Sequence, residues 1–271
     1  MTLSEADDIE YNNIGAQTYN SLVLCGKLRS AVRWITERET GGVLRPGGRC
    51  EKTGDRVLEV LRAKHPEARP PTAASLTPYT GCPPELTRVD ITDNTVTAVA
   101  GRLSGGTGPG GTDSVLLQHW LLQFGAASAE IRFIVEDFDE WLSNRRPPWA
   151  AYRALMSGRP VALEKHQGIG PVGVGETWRR LMVKCLLKVS GPEAKATCGT
   201  TQLAGDLEAG IEGTIHVMCV LFEEHREEED WGFLLIDARN AFNEENRTAM
   251  LWAVRHECTS GVHFIFNCYR H

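Results

Sequence analysis

Trp231-Gly232-Phe233-Leu234-Leu235-Ile236-Asp237-Ala238-Arg239-Asn240-Ala241-Phe242-Asn243-Glu244 decides how this chain is read, because an apolar run ends there on an acid that an aromatic follows five positions later. Phe233 to Ile236 read as a buried strand. Asp237 would then place a carboxylate at the end of a sheet, where a divalent ion could be shared with a phosphate. The same residues also fit a strand running into a turn or helix, with Asp237 as an N-cap and Phe242 packed in the core.

Three upstream stretches bear on that choice. Ala98 to Ser114 holds a glycine-rich loop with Pro109 and Asp113 between two apolar segments, the second being Val115 to Leu122. Glycine lets such a loop turn sharply or lie close to another backbone. Leu163-Glu164-Lys165 leads through Gly170-Pro171 into Trp178-Arg179-Arg180-Leu181-Met182-Val183-Lys184. The spacing predicts an amphipathic helix with Trp178, Leu181, Met182 and Cys185 on its apolar side and Arg179, Arg180 and Lys184 on the other. Gln202 to Gly205 precede Ile211, Ile215, Met218 and Phe222, whose three- and four-residue spacings predict another helix.

Taken in this order, the four stretches resemble the reverse transcriptases of non-LTR-type retrotransposons over roughly residues 90 to 257. The glycine loop is similar to the family's small-Pro-Gly-x-Asp-Gly segment beside the template. Lys165 sits in its L-x-K … R-P fingers motif, Gln202 in its Q-x-G-F block, and Asp237 in the first palm motif. The resemblance implies an α+β fold, with helical fingers and part of an antiparallel palm sheet, and two-metal transfer of a deoxynucleotide to a primer 3′-hydroxyl. It implies that Asp237 and the Ala238 carbonyl bind Mg2+, and that Lys165 holds the triphosphate. Ala241 and Phe242 would lie against the nucleotide, Phe242 as the gate that excludes a ribose hydroxyl. Arg179, Arg180 and Lys184 would face nucleic acid, with RNA template, DNA primer and deoxynucleoside triphosphates as partners.

The sequence departs from the family in ways that bear on chemistry. Gly170 stands where the family carries a phosphate-gripping Arg, and Asp206 follows Gly205 where an aromatic is usual. The aromatic-x-Asp-Asp hairpin that completes the metal site does not occur; the lone Asp7-Asp8 pair lies far upstream. One Asp does not hold two ions about 4 Å apart while leaving room for both reacting oxygens. The expectation is therefore fingers and the first half of a palm, inactive on its own, with a non-catalytic RNA- or protein-binding remnant as the alternative.

Composition limits the remaining possibilities. The net charge of −6 is unlike a domain that neutralises many phosphates, although the acids are concentrated in Glu223 to Asp230 and Glu130 to Glu140. Tight RNA binding is not expected. The eight cysteines include no C-x-x-C pair, which leaves zinc-ribbon and redox-motif readings without their spacing. No secretory signal or long apolar span is apparent, giving the expectation of an intracellular protein, cytoplasmic or nuclear, with no membrane partner.

Residues 1–85 read as a helical region and proline-rich linker, with helices over Leu22–Thr36 and Arg56–Lys64, and residues 86–271 as the partial polymerase domain. Pro147-Pro148 marks a break before a helix beginning at Trp149. Asn246 to His256 predict a helix, and Gly261 to Tyr269 a strand. That strand would leave an unpaired edge prone to self-association.

Overall fold

The computed structural model describes residues 20–21, 23–24, 43–51, 53–165, 168–199, 202–203, 209–238 and 240–270. The helix expected over 22–36, the pair Asp7-Asp8 and the Gly205-Asp206 turn lie wholly or almost wholly outside the described residues. The structure is α+β, with eleven helices and one three-stranded sheet among the described residues. It divides into two compact units, residues 1–64 with 160–172 and residues 65–159 with 173–271.

β1 (Val43–Leu44), in the first unit, pairs antiparallel with β2 (Gly158–Lys165), Val43 opposite Leu163 and Leu44 opposite Ala162. β2 turns back into β3 (Gly168–Gly175) to give the order β1-β2-β3. A tight turn closed by Gly54, whose N–H donates to the Cys50 carbonyl at 2.8 Å, leads into α1 (Val57–Ala63). Cys50, Val57, Leu61, Ala162 and Ile169 form the small core.

The second unit is helical. α2 (Ala73–Leu76), α3 (Asp93–Ala100), α4 (Ser114–Leu122), α5 (Ala126–Asn144) and α6 (Trp149–Met156) precede the hairpin. α7 (Thr177–Cys198), α8 (Gly210–Glu224), α9 (Ala241–Glu244), α10 (Arg247–Glu257) and α11 (Val262–Tyr269) follow it. Local chemistry sets the starts: Thr92 accepts from the Thr95 N–H, Asp113 from Leu116 at 2.7 Å and Asn246 from Ala249 at 3.0 Å. α3, α4, α7 and α11 pack on α5, and the core they enclose includes Val96, Leu117, Leu121, Leu142, Leu181, Cys185 and Phe264. Asn144, at the end of α5, pins the segment before α3. Its amide donates to the Val89 carbonyl and its Oδ1 accepts from the Val89 N–H, both at 2.8 Å.

Two expected strands are corrected. Phe233 to Ile236 belong to no sheet, and Leu234, Leu235 and Ile236 are 83%, 80% and 83% exposed. Gly261 to Tyr269 are not a strand: Val262–Tyr269 form α11, capped at Gly261, and bury Val262, Phe264 and Asn267. An eight-residue apolar run satisfies both a period of two and a helical period, and here packing on α5 selects the helix. With that edge strand gone, the surface expected to drive self-association is gone too. The sole sheet among the described residues is built from β1, β2 and β3, and Asp237 has no part in it.

Candidate functional site

The glycine loop and the start of α7, more than sixty residues apart in sequence, meet in one structure. Arg180 reaches back into the loop, its guanidinium donating to the Ser104 carbonyl at 3.1 Å and the Gly106 carbonyl at 2.8 Å. Glu176 Oε1 accepts from the Gly110 N–H at 2.7 Å, and the Thr177 hydroxyl donates to the Thr112 carbonyl at 2.6 Å. Arg159 adds a bond to the Thr107 carbonyl at 3.3 Å. At the loop's far end Asp113 caps α4.

The glycines make this closeness possible. A Cβ on Gly108 would lie 2.7 Å from the Glu176 Cα and 2.8 Å from its nitrogen, distances no side chain attains without moving backbone. Gly105 has φ +112, and a Cβ there would meet the Arg180 guanidinium at 2.9 Å. A loop already fixed at both ends loses little further conformational freedom when a ligand settles on it.

The same bonds revise the expected basic face. Arg179 is half-buried and donates to the Met156 carbonyl at 2.9 Å, and Arg180 holds the loop as above. Both guanidiniums therefore have structural work within the unit. Lys184 is half-buried one turn on, while Leu181, Met182 and Cys185 are buried as the spacing predicts. Lys165 closes β2, and its side chain lies outside the described residues.

The segment around Asp237 is built differently. Asp237 and Ala238 are exposed and outside regular structure. Phe242 is the second residue of the four-residue helix α9 and is 101% exposed, so it is neither a core residue nor packed against a neighbour. Ala241 begins the same helix after Asn240, which holds φ 56. Before Asp237, Phe233 stacks on Phe222 of α8 at 6.4 Å and meets Trp231 edge-on at 4.9 Å. Ile215, Met218, Cys219, Phe222, Glu223 and Phe233 line an open apolar groove of about 370 Å³. Among the described residues no group of three or more His, Cys, Asp or Glu side chains could hold a metal ion. Asp237 with the Ala238 carbonyl does not fit a two-ion centre.

A larger groove of about 920 Å³ lies elsewhere in the unit, beside α5, where Phe138 and Trp141 stack at 5.8 Å next to the Arg88–Glu140 pair. None of the motif residues lines it.

Two ionisable residues that sequence reading passed over have the most distinctive surroundings. Glu193 of α7 receives both the N–H and the hydroxyl of Thr259, at 2.8 and 2.7 Å, and both from Ser260. Partial burial would raise its carboxyl, but the bonds from Ser260 and Thr259 outweigh this and hold it down at about 2. Asp139, inside the acidic run Glu130 to Glu140, is fully buried. No signal in a single sequence marks the Glu193 cradle, whose partners lie 66 and 67 positions away.

No helix among the described residues is long and apolar enough to cross a membrane. The chain matches no protein-family model, no curated protein and no solved structure.

Proposed function

We propose that the chain is the fingers and first palm segment of an RNA-directed DNA polymerase of the retrotransposon type, holding template without catalysing nucleotidyl transfer by itself. One observation carries the reading. Two stretches of the resemblance that need only share an order in the sequence, 104–113 and 176–180, are joined by direct hydrogen bonds into a preorganised loop at the head of a basic helix. A loop of that kind suits close approach to a nucleic-acid backbone, because glycines leave no side chains in the way.

Catalysis is a different matter. Attack of a primer hydroxyl on an α-phosphate needs carboxylates from more than one strand, and Asp237 stands alone in an exposed segment. Gly170 supplies no guanidinium for the triphosphate. The purified chain is expected not to extend a DNA primer on an RNA template, and to bind RNA weakly, with affinity that falls as salt rises. Joining it to the second palm half and thumb of a retrotransposon polymerase should yield extension that Asp237→Ala abolishes. Extension by the unjoined chain, or extension by the joined protein that survives Asp237→Ala, would contradict the proposal.

A second reading is favoured by the surface of α8. Ile211, Ile215 and Phe222 are exposed, and the acids of 223–230 beside them repel nucleic acid. On this reading that segment docks a basic protein partner through apolar anchors, independently of metal and of Asp237. Capture of a Lys- and Leu-rich amphipathic peptide that is lost in Phe222→Ala, and not matched by a polylysine of equal charge, distinguishes it.

A further inference from the structure

Asp139 sits in the middle of α5 with no exposed surface, and neither carboxylate oxygen meets a nitrogen or oxygen donor; only the weak Cys185 thiol bears on it. One turn on, Ser143 Oγ is also buried without a partner, as is Asn267 Oδ1 on α11. No cation acts directly on this carboxyl, although on α7 Lys188 acts on the neighbouring Cys185 thiol and Arg179 on the Tyr152 hydroxyl. From α7 the Cys185 thiol faces Asp139, buried in the same core. From α6 comes Tyr152, whose hydroxyl lies 3.4 Å from the Cys268 sulfur of α11. The single acid of α3, Asp93, is held by Arg132 at 2.6 Å, and the single ionisable residue of α4, His119, is exposed. His263 of α11 lines the open groove beside α5.

An ionised carboxylate with neither a strong hydrogen bond nor a cation is among the least tolerable groups in an apolar core, whereas a neutral carboxyl is tolerated far better. We propose that Asp139 is a proton-gated joint in the helical unit: the core closes around the neutral carboxyl, and loss of its proton loosens the packing of α5 on α7. No metal, ligand or partner is needed, and the reading of the chain as a polymerase fragment is not required either.

Burial pushes the Asp139 carboxyl from its ordinary 3.8 up to about 7, with the facing Cys185 thiol acting in the opposite direction. The same burial, and then the carboxylate beside it, raises the Cys185 thiol, which stays protonated. A carboxyl raised on folding contributes stability that is fully present below its unfolded value and is lost as pH rises through the folded one. Here that window runs from about 3.8 to about 7. Burial and the nearby arginines lower His263, so it works in the opposite sense and adds stability as pH rises. The informative quantity is therefore the difference between the wild-type chain and Asp139→Asn.

The test is urea unfolding of the full chain at pH 5 and pH 8, followed by tryptophan fluorescence. Between these two values the unfolding constant of the wild-type chain should rise on the order of a hundredfold more than that of Asp139→Asn. Parallel pH dependences in the two chains would overturn the proposal. Should the Asn variant fail to fold, carbon-13 NMR titration of the wild-type carboxyls decides. An Asp139 midpoint between pH 6 and 8 supports the joint, and a midpoint below 5 overturns it.

Discussion

α7 and α8 carry apolar faces of similar clarity in the sequence and meet opposite fates in the structure. α7 buries Leu181, Met182, Cys185 and Leu186, while α8 has no buried residue and leaves Ile211, Ile215 and Phe222 half exposed. The difference lies in what ties the ends. Thr177 and Arg180 fasten the first turn of α7 to the glycine loop, and Glu193 fastens its last third to the turn before α11. Among the described residues α8 shows local ties, such as the ring stacks of Phe222 on Phe233 and of His225 on Trp231, at 6.4 and 4.5 Å, and the Glu223–Arg226 pair. Apolar periodicity identifies a face; polar ties far apart in sequence decide what it faces.

The sharpest way to break this comparison is to truncate equivalent residues. Leu181→Ala empties a fully buried site and should cost about 2–5 kcal/mol in urea unfolding, whereas Ile215→Ala should change stability by less than about 0.5 kcal/mol. Equal losses would mean that α8 is packed after all. Gly108→Ala presses a methyl against the backbone of Glu176 and should cost about 1–3 kcal/mol, with a lowered melting temperature as the readout.

A smaller effect is expected at Glu193. Because its carboxyl is held at about 2 against an ordinary 4.5, its contribution is present above 4.5 and lost as pH falls towards 2. The group is only partly shielded, so Glu193→Gln should cost about 1–2 kcal/mol at pH 7 and almost nothing at pH 2. A cost that does not vary with pH would separate the cradle from the charge. The smallest effect belongs to Asp237→Ala. The side chain is exposed and caps no helix, so the melting temperature should stay within a degree. A clear drop would give Asp237 a structural task that the exposed segment does not show.

Much of the fold was legible where local chemistry suffices. The helix at Arg56–Lys64, the helices at Asn246–His256 and Trp149, the apolar side of α7 and the glycine loop between two helices all follow from spacing, caps and breakers. Failures came where partners had to be supplied from a distance. Phe233 to Ile236 have strand composition, yet a strand exists only when another pairs with it. In the sequence Asp139 is one more acid of Glu130–Glu140, and only the helices around α5 reveal that it is enclosed. Of the motif residues, Arg179 and Arg180 are implied by the resemblance to face nucleic acid, and the structure directs donors of both to Met156, Ser104 and Gly106. The roles that the resemblance implies for Lys165, Asp237 and Phe242 depend on a mutual geometry that a motif does not carry.

Hydrogen exchange on the native chain, read by mass spectrometry of peptic fragments, tests the central contrast most directly. Amides of Leu117 to Leu121 and Leu181 to Ser190 should be protected, opening only with global unfolding. Those of Phe233 to Asp237 should exchange within seconds, with no strand to hold them. Strong protection across 233–237 would contradict the account, since it would mean that this segment already has a sheet partner.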